Sequence, residues 1–322
     1  MKYAKLLLLA SLFAGFTACS SGDEDDEPTK TTPTKPEEAA RVPLTVEVSE
    51  NPLTSIAGSR EDATRTDITT LPTLTAFSMN FYSSSDLRGK YDVRKNGAGW
   101  STTNYDEQTG ISGGIAYWPN DATEGIYPFC FYAYTDGSFV GGSNPYISVE
   151  VEEAAFNQKD VLVAQSAIYY RPRQSAVALT FDHICAAVGF TIRMSEALKA
   201  KLGNDQLSVS KVRLQAIANT GKYYYDDGWK NVSNETTYYT ITYENAMVVT
   251  TEMQEMKDNK HDTFYLFLIP QKTDDAELEV TYRIGEGEKK TTTITGISVD
   301  WQQGYRYYID INLGTANIQV EP

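Results

Sequence analysis

Few side chains in this sequence are suited to nucleophilic or metal chemistry. The 322 residues include 3 cysteines and 2 histidines. No two cysteines form a C-x-x-C pair, and no cysteine and histidine stand at the spacing of a zinc site. Motifs for serine hydrolases, zinc proteases and phosphate-binding loops are also absent. The sequence therefore predicts a protein that is not an enzyme and needs neither a metal nor a cofactor.

Acidic side chains are abundant but form no recognisable catalytic pattern. There are 43 Asp and Glu residues against 28 Lys and Arg, which gives a formal net charge of −15. A glycosidase needs two carboxylates across a cleft, and so many acids make any sequence-level pairing uninformative. The acid excess also disfavours attraction to phosphate backbones, so we expect no nucleic-acid partner.

Cys19 is the cysteine whose surroundings predict a chemical modification. A short basic head precedes the apolar stretch Leu6–Phe16, which is too short to span a bilayer permanently and is typical of a secretory signal. The following Phe16-Thr17-Ala18-Cys19 resembles a bacterial lipobox. We expect residues 1–18 to be removed and acyl chains to anchor Cys19, since two or more chains hold a protein firmly. The alternative is a simple signal peptide with an incidental cysteine.

Residues 19–40 are predicted to form a tether between the lipid and the folded chain. Five consecutive acids, Asp23–Glu27, precede a stretch rich in Thr, Pro and Lys. Such a composition stays solvated because it cannot pack. The acidic run also resembles the surface-export signal of some Gram-negative lipoproteins.

The two remaining cysteines and one histidine are interpreted as parts of the core. Cys130 and Cys185 lie in apolar, strand-like runs, where a free cysteine behaves as a small hydrophobe. A disulfide is the alternative in an exported chain. His183, in Phe181-Asp182-His183-Ile184, is interpreted as a structural histidine and not as a catalytic base.

An alternation of apolar and polar residues predicts that the body of the chain is built of strands. Val42, Leu44, Val46 and Val48 alternate with polar or proline positions, and a polar, turn-prone stretch follows over residues 49–70. Later strands are predicted around Phe77–Phe81 and at Tyr127–Tyr134, Tyr146–Val151, Val161–Gln165, Val177–Phe181, Ile184–Arg193, Val209–Ile217, Tyr238–Tyr243, Phe264–Ile269, Leu278–Ile284, Thr291–Val299 and Tyr305–Leu313.

One short helix is predicted over Glu196–Leu202, with Ser195 as its N-cap and Gly203 at its end. Closely spaced strands without regular helices favour an all-β fold of antiparallel sandwiches. The polar break Arg171–Ser175 is the best boundary between the two. We therefore expect an N-terminal β-sandwich over 41–174 and a C-terminal β-sandwich over 175–322.

Clustered aromatic residues leave a second function open. Tyr223, Tyr224, Tyr225 and Trp229, together with Trp118 and Trp301, have side chains that stack on sugars. Aromatics on strands more often fill a core. The alternative function is a surface glycan-binding lipoprotein that never polymerises.

Several segments together resemble the fimbrillin family of two-domain pilins from Gram-negative anaerobes. Each segment is weak alone, but their order and spacing along the exported chain are fairly specific. The segments are Tyr117-Trp118-Pro119, Phe129-Cys130-Phe131-Tyr132-Ala133-Tyr134, Asp160-Val161-Leu162-Val163-Ala164, Val177-Ala178-Leu179-Thr180-Phe181-Asp182-His183 and Trp301–Ile311.

The resemblance implies a fold, a location and an assembly route. The fold is two transthyretin-like β-sandwiches, and the location is a fimbrium at the outer membrane, reached by a precursor lipidated on Cys19. An arginine-specific protease would cut after the first strand (Val42–Val48), at Arg65 or, as second choice, at Arg60. A strand from another pilin subunit would then replace the first strand, and the fimbrium would adhere to a host or glycan ligand.

The end of the sequence bears on the role within a fimbrium. Stalk subunits of the family generally carry extra C-terminal strand material, whereas here Ile318 and Val320 would form a very short donor. We therefore expect a tip or accessory subunit, with an anchor that stays lipidated as the alternative to a tip.

Overall fold

Strands make up most of the chain in the computed structural model, which describes residues 42–55, 74–83, 86–118, 128–170, 175–233, 236–256, 265–316 and 318. In the first half the strands are β1 (Val46–Glu50), β2 (Thr54–Ser55), β3 (Ala76–Ser83), β4 (Asp86–Asn96), β5 (Gly99–Asp106), β6 (Ile111–Ile115), β7 (Phe129–Tyr134), β8 (Ser138–Val140), β9 (Tyr146–Glu150), β10 (Leu162–Gln165) and β11 (Val177–His183).

The second half continues the all-β pattern. One α-helix, α1 (Glu196–Leu202), and one turn of 3-10 helix (Ala155–Asn157) are the helical elements of the described residues. The remaining strands are β12 (Ala186–Met194), β13 (Leu207–Ala218), β14 (Thr220–Tyr224), β15 (Gly228–Lys230), β16 (Thr236–Val248), β17 (Gln254–Glu255), β18 (Leu266–Leu268), β19 (Lys272–Ile284), β20 (Lys290–Asp300) and β21 (Tyr305–Leu313). The predicted all-β sandwich fold with one short helix is confirmed.

The first sheet closes on itself around a hydrophobic core. Its eight strands follow the order β1-β11-β10-β7-β3-β4-β5-β6, and β1 pairs with β11 in parallel. The chain just before β1 reaches the opposite end of the sheet, where the Leu44 N–H donates to Ala116 O (2.8 Å) and the Trp118 N–H donates to Val42 O (2.9 Å). Residues 116–118 follow β6 directly. The chain from Val42 to Glu50 therefore joins the two ends of the sheet.

The other strands enclose a second core. They form three sheets, with the strand orders β17-β12-β21-β2, β16-β13-β19-β20 and β15-β14-β9-β8. In the first of these three, β18 also pairs with β12. Strand pairing crosses the boundary predicted between residues 174 and 175. Strand β11 belongs to the first sheet, and β9 pairs with β14. The division into 41–174 and 175–322 stays a prediction.

Helix α1 begins and ends where the sequence predicts. The Ser195 Oγ accepts a hydrogen bond from the Leu198 N–H (3.1 Å), which satisfies one of the unpaired donors at the helix start. At the other end Gly203 has φ = 61°, a conformation that glycine adopts without a steric cost. Leu198 and Leu202 fix the helix to the second core.

Every predicted strand overlaps an observed one, but β2, β4, β5, β6, β8, β14, β15 and β17 have no sequence prediction. Of these, β4, β5 and β6 are consecutive strands at one end of the first sheet. Most of their side chains are exposed, including Ile111 and Ile115. Strands β5 and β6 have no consistently buried face, so their sequences lack the alternation that marks a half-buried strand. Strand β4 does carry an alternation that ends at Tyr91 and Val93, and both of these side chains are buried in the first core.

The helix cap gives a test of this fold. Ser195→Ala removes the side-chain acceptor of α1, and we expect the free energy of unfolding to fall by about 1 kcal/mol. Urea titration followed by tryptophan fluorescence measures the change. The control is Ser101→Ala, an exposed position in β5. Equal losses in the two variants would show that the cap does not stabilise the helix.

Candidate functional site: the first-strand groove

The first segment, defined here as residues 42–55, is the candidate functional site. Leu44 and Val46 are buried in the first core, and Val42 and Val48 are half-buried against it, while Pro43, Thr45 and Glu47 are exposed. The predicted alternation of Val42, Leu44, Val46 and Val48 is present. Regular strand begins only at Val46, because Val42–Leu44 bonds to residues 116–118 instead of β11.

Backbone hydrogen bonds hold the middle of the first segment along β11. The Cα register runs from Val46 opposite Val177 to Glu50 opposite Phe181. The Val177 N–H donates to Thr45 O (2.8 Å), and the Asn51 N–H donates to Phe181 O (2.8 Å). In the described part of the chain β1 pairs with this one strand, so its other edge lies at the end of the sheet.

The far end of the first segment belongs to the second core. Leu53 packs there, the Thr54 N–H donates to Gly304 O (2.7 Å), and β2 pairs with β21 in parallel. The prediction of a polar, turn-prone stretch from residue 49 is therefore wrong at Ser49–Glu50 and Thr54–Ser55, which are strand residues. Leu53, an apolar residue in a polar run, was the signal that could have revealed this contact.

Polar side chains add contacts on the exposed side of the first segment. Ser49 and Thr180 share a hydroxyl–hydroxyl hydrogen bond of 2.9 Å. The Asn51 Nδ2 donates to Asp182 Oδ1 (2.6 Å). Both contacts repeat the register of the backbone ladder, so they favour this alignment of the strand over a shifted one.

His183 lies at the end of β11, where the first segment leaves the first sheet. Its side chain is buried, with Nδ1 2.6 Å from Asp160 Oδ2. Nε2 lies 3.3 Å from Glu50 Oε1, an ion-pair distance without the alignment of a full hydrogen bond. Burial opposes protonation, but the hydrogen bond to Asp160 and the nearby carboxylates outweigh it and raise the pKa of His183 above its ordinary value.

The two described cysteines are free thiols. Cys185 is buried and Cys130 is half-buried, so the prediction that both lie in the core holds fully for Cys185 and partly for Cys130. Burial raises the pKa of both thiols. A thiol with a raised pKa is a poor nucleophile, because the thiolate is the reactive form.

The aromatic residues considered for sugar stacking serve mainly in packing. Trp118 and Trp301 are buried, and the Trp229 Nε1 donates to Ile184 O (2.6 Å). Tyr224 is half-buried and packs on Tyr146, with ring centroids 4.9 Å apart. Lysine ammonium groups lie over both tyrosine rings, so these rings already have partners.

Several predicted sites lie outside the described residues. They are the signal peptide and tether, Cys19, Arg60 and Arg65. Within the ranges that the structure does describe, no helix has the length and apolar character to cross a bilayer. In the same ranges no cluster of three or more His, Cys, Asp or Glu side chains is arranged to hold a metal ion.

The fold places this chain among all-β sandwich proteins, and sequence comparison names the family. A sequence model of the fimbrillin-like family matches residues 64–322. The chain therefore belongs to the fimbrillin-like family, whose members are structural pilins and not enzymes. No curated protein sequence matches the chain significantly.

Solved structures show a related fold at low sequence identity. A proposed cell adhesion protein of Bacteroides fragilis has a TM-score of 0.51 at 12% identity, over 88% of this chain and 99% of that one. A proposed cell adhesion protein of Bacteroides ovatus scores 0.48 at 14% identity, over 88% and 96%. A fimbrilin of Porphyromonas gingivalis scores 0.37 at 11% identity, over 75% and 71%. The first likeness supports the fold alone, and the two lower scores support no argument about this chain.

The apolar anchors of the first segment can be tested singly. Leu44→Ala removes a buried side chain, and we expect the free energy of local opening of the first segment to fall by about 2–5 kcal/mol. Hydrogen exchange by mass spectrometry should show faster exchange of residues 42–50. Thr45→Ala, a change to the exposed neighbour, serves as the control. Unchanged exchange in Leu44→Ala would mean that this side chain does not hold the segment.

Proposed function

We propose that this chain is a subunit of a surface fimbrium and assembles by exchange of its first segment for a strand of another subunit. The observation that carries the proposal is that residues 42–55 close the first sheet from its edge. These residues bond to 116–118, β11 and β21. Strand addition at such an edge is a recurring way in which proteins bind an extended partner.

Cleavage of the chain just after the first segment would act as the switch. Arg60 and Arg65 both lie between the end of β2 at Ser55 and the start of β3 at Ala76. While the chain is intact, the tethered segment has an effective concentration that a free donor strand cannot match. A cut at either arginine removes this advantage and leaves the segment bound by noncovalent contacts alone.

Loss of the first segment would leave a groove that favours a new strand. Backbone donors and acceptors along β11 and residues 116–118 would lose their partners, and unpaired groups of this kind are costly when buried. The sites of Leu44, Val46 and Leu53 would open as well. Burial of each such side chain contributes about 1.5–3 kcal/mol, so a donor with matching apolar residues regains this stabilisation.

We assign the chain the role of a strand acceptor, as a tip or accessory subunit. Ile318, half of the short donor expected from the sequence, is fully buried in the second core. Its N–H donates to Gly314 O (3.0 Å). Donating this residue to another subunit would open the core that it fills, so receiving a strand is the less costly role.

Lipid attachment and adhesion complete the proposal. Acyl chains on Cys19 would hold the precursor at the outer membrane until an arginine-specific protease acts. The fimbrium would then present the subunit to a host or glycan ligand, with no enzymatic step. Support comes from the lipobox-like sequence and from the family, whose pilins form surface fimbriae.

Proteolysis of the purified precursor tests the switch. An arginine-specific protease should release the N-terminal fragment, which then exchanges for a labelled peptide with the sequence of residues 42–55. Arg65→Lys should slow the cut at 65, and Arg60→Lys serves as the matched comparison. Mass spectrometry identifies the fragment, and peptide binding reports the groove. A chain that is neither cut nor able to take up the peptide would leave the non-polymerising glycan-binding lipoprotein as the remaining candidate.

The lipid anchor has its own test. In a Gram-negative host, the precursor should gain the mass of acyl chains and fractionate with the outer membrane, because several chains bind a bilayer firmly. Cys19→Ala should lose both properties, whereas Cys130→Ala should keep them. Equal membrane association of the Cys19→Ala protein and the unchanged protein would contradict lipidation at Cys19.

A further inference from the structure

The first-strand groove is the surface of residues 116–118, β11 and β21 that the first segment covers. At the end of β11 it contains the buried imidazole of His183, which faces the carboxylate of Glu50. We propose that His183, oriented by Asp160, is a carboxylate-recognition point. It holds Glu50 of the chain's own strand and selects an acidic residue at the same position in a replacing strand. The part that concerns a replacing strand rests on the proposed function. The part that concerns Glu50 rests on the geometry of the intact chain.

The groove keeps the recognition point in place when the first segment leaves. Asp160 lies just before β10, and its side chain is only 5% exposed. Its bond to Nδ1 directs Nε2 of His183 towards Glu50, whose side chain is 33% exposed. Neither Asp160 nor His183 belongs to the first segment, so both remain with the acceptor.

Charge makes this end of the groove selective. The carboxylates that face His183 are Asp160 from the segment before β10 and Glu50 from β1, and Asp182, the preceding residue of β11, is close enough to add to their effect from the exposed side. Loss of the Glu50 carboxylate would remove one of the attractions to a protonated His183, while Asp160 stays in place. A donor strand with an apolar side chain at this position would offer Nε2 neither a charge nor an acceptor, and an amide would offer an acceptor without the charge.

The selection depends on pH with a definite sign. The folded-state pKa of His183 is raised above the unfolded value. The pairing therefore contributes its full stabilisation below the unfolded pKa of about 6.5 and loses it as the pH rises through the raised folded value. Strand retention through Glu50 should be strongest in mildly acidic solution and weakest in alkaline solution.

Hydrogen exchange of the full-length precursor tests the pairing without any strand exchange. At about pH 6, Glu50→Gln should speed exchange of residues 46–50 by about tenfold, which corresponds to about 1.4 kcal/mol. At about pH 8.5 the same ratio should fall to about twofold or less. Glu47→Gln is the matched control, since it makes the same chemical change at an exposed position of β1. Comparing proteins at one pH cancels the intrinsic pH dependence of exchange.

His183→Gln supplies the second criterion. In this background Glu50→Gln should have the same small effect at both pH values, because the titrating partner is gone. An effect of Glu50→Gln that is equal at the two pH values in the unchanged protein would overturn the pairing. So would an effect of Glu47→Gln as large as that of Glu50→Gln.

Peptide exchange tests the selection. Protease-treated protein is offered peptides of residues 42–55 with Glu or Gln at position 50. We expect the Glu peptide to bind about tenfold more tightly at about pH 6 and nearly equally at about pH 8.5. If the Glu peptide and the Gln peptide have affinities equal to one another at about pH 6 as well as at about pH 8.5, selection by His183 is overturned. Entry of neither peptide contradicts strand exchange itself, and the hydrogen-exchange result then decides on the Glu50–His183 pairing independently.

Discussion

The structure depends on the closure of the first sheet by a short N-terminal segment. Val42–Leu44 bonds the chain that follows β6, and β1 bonds β11 at the opposite end of the sheet. One stretch of about ten residues thus completes a sheet of eight strands. Without it, both ends of the sheet would present unpaired backbone groups, and the first core would be open where Leu44 and Val46 now lie. Sheet edges of this kind readily bind another strand.

The first segment also connects the two cores. After β1 it continues through Asn51 to Leu53, which packs in the second core, and to β2, which pairs with β21. A strand that replaced the whole segment would therefore contact both cores. The demands on such a strand differ along its length. Apolar side chains are required at the positions of Leu44, Val46 and Leu53, and a register is imposed by the Ser49–Thr180 and Asn51–Asp182 contacts.

Local features of the fold could be predicted from the sequence, and long-range features could not. The alternation at Val42–Val48 and the cap at Ser195 depend on neighbouring residues, so the sequence predicts both. The parallel pairing of β1 with β11 joins residues 131 positions apart, and no periodicity records which strands will meet. The sequence predicts neither β5 nor β6 because their side chains are mostly exposed, whereas β4 carries an alternation whose Tyr91 and Val93 are buried in the first core.

The candidate site divides in the same way. The alternation of Val42, Leu44, Val46 and Val48 predicts the apolar contacts of β1. Leu53 marks a further contact as an apolar residue in a polar run, but a single residue has no period and does not indicate which core it joins. The sequence does not predict the contact of Glu50 with His183, because 43 acidic residues offer too many partners for any one histidine. Burial and the position of Asp160 distinguish this carboxylate from the others, and both are properties of the folded chain.

A reversible lock on the first segment tests the central claim most directly. Ser49 and Thr180 are register partners with hydroxyl oxygens 2.9 Å apart, so Ser49→Cys with Thr180→Cys places two thiols within reach of a disulfide. After cleavage by the arginine-specific protease, uptake of a labelled donor peptide is measured in the oxidised and reduced forms. We expect the oxidised protein to keep its own segment and exclude the peptide, and the reduced protein to take the peptide up. Equal uptake by the two forms would show that a donor strand does not enter by replacing the first segment.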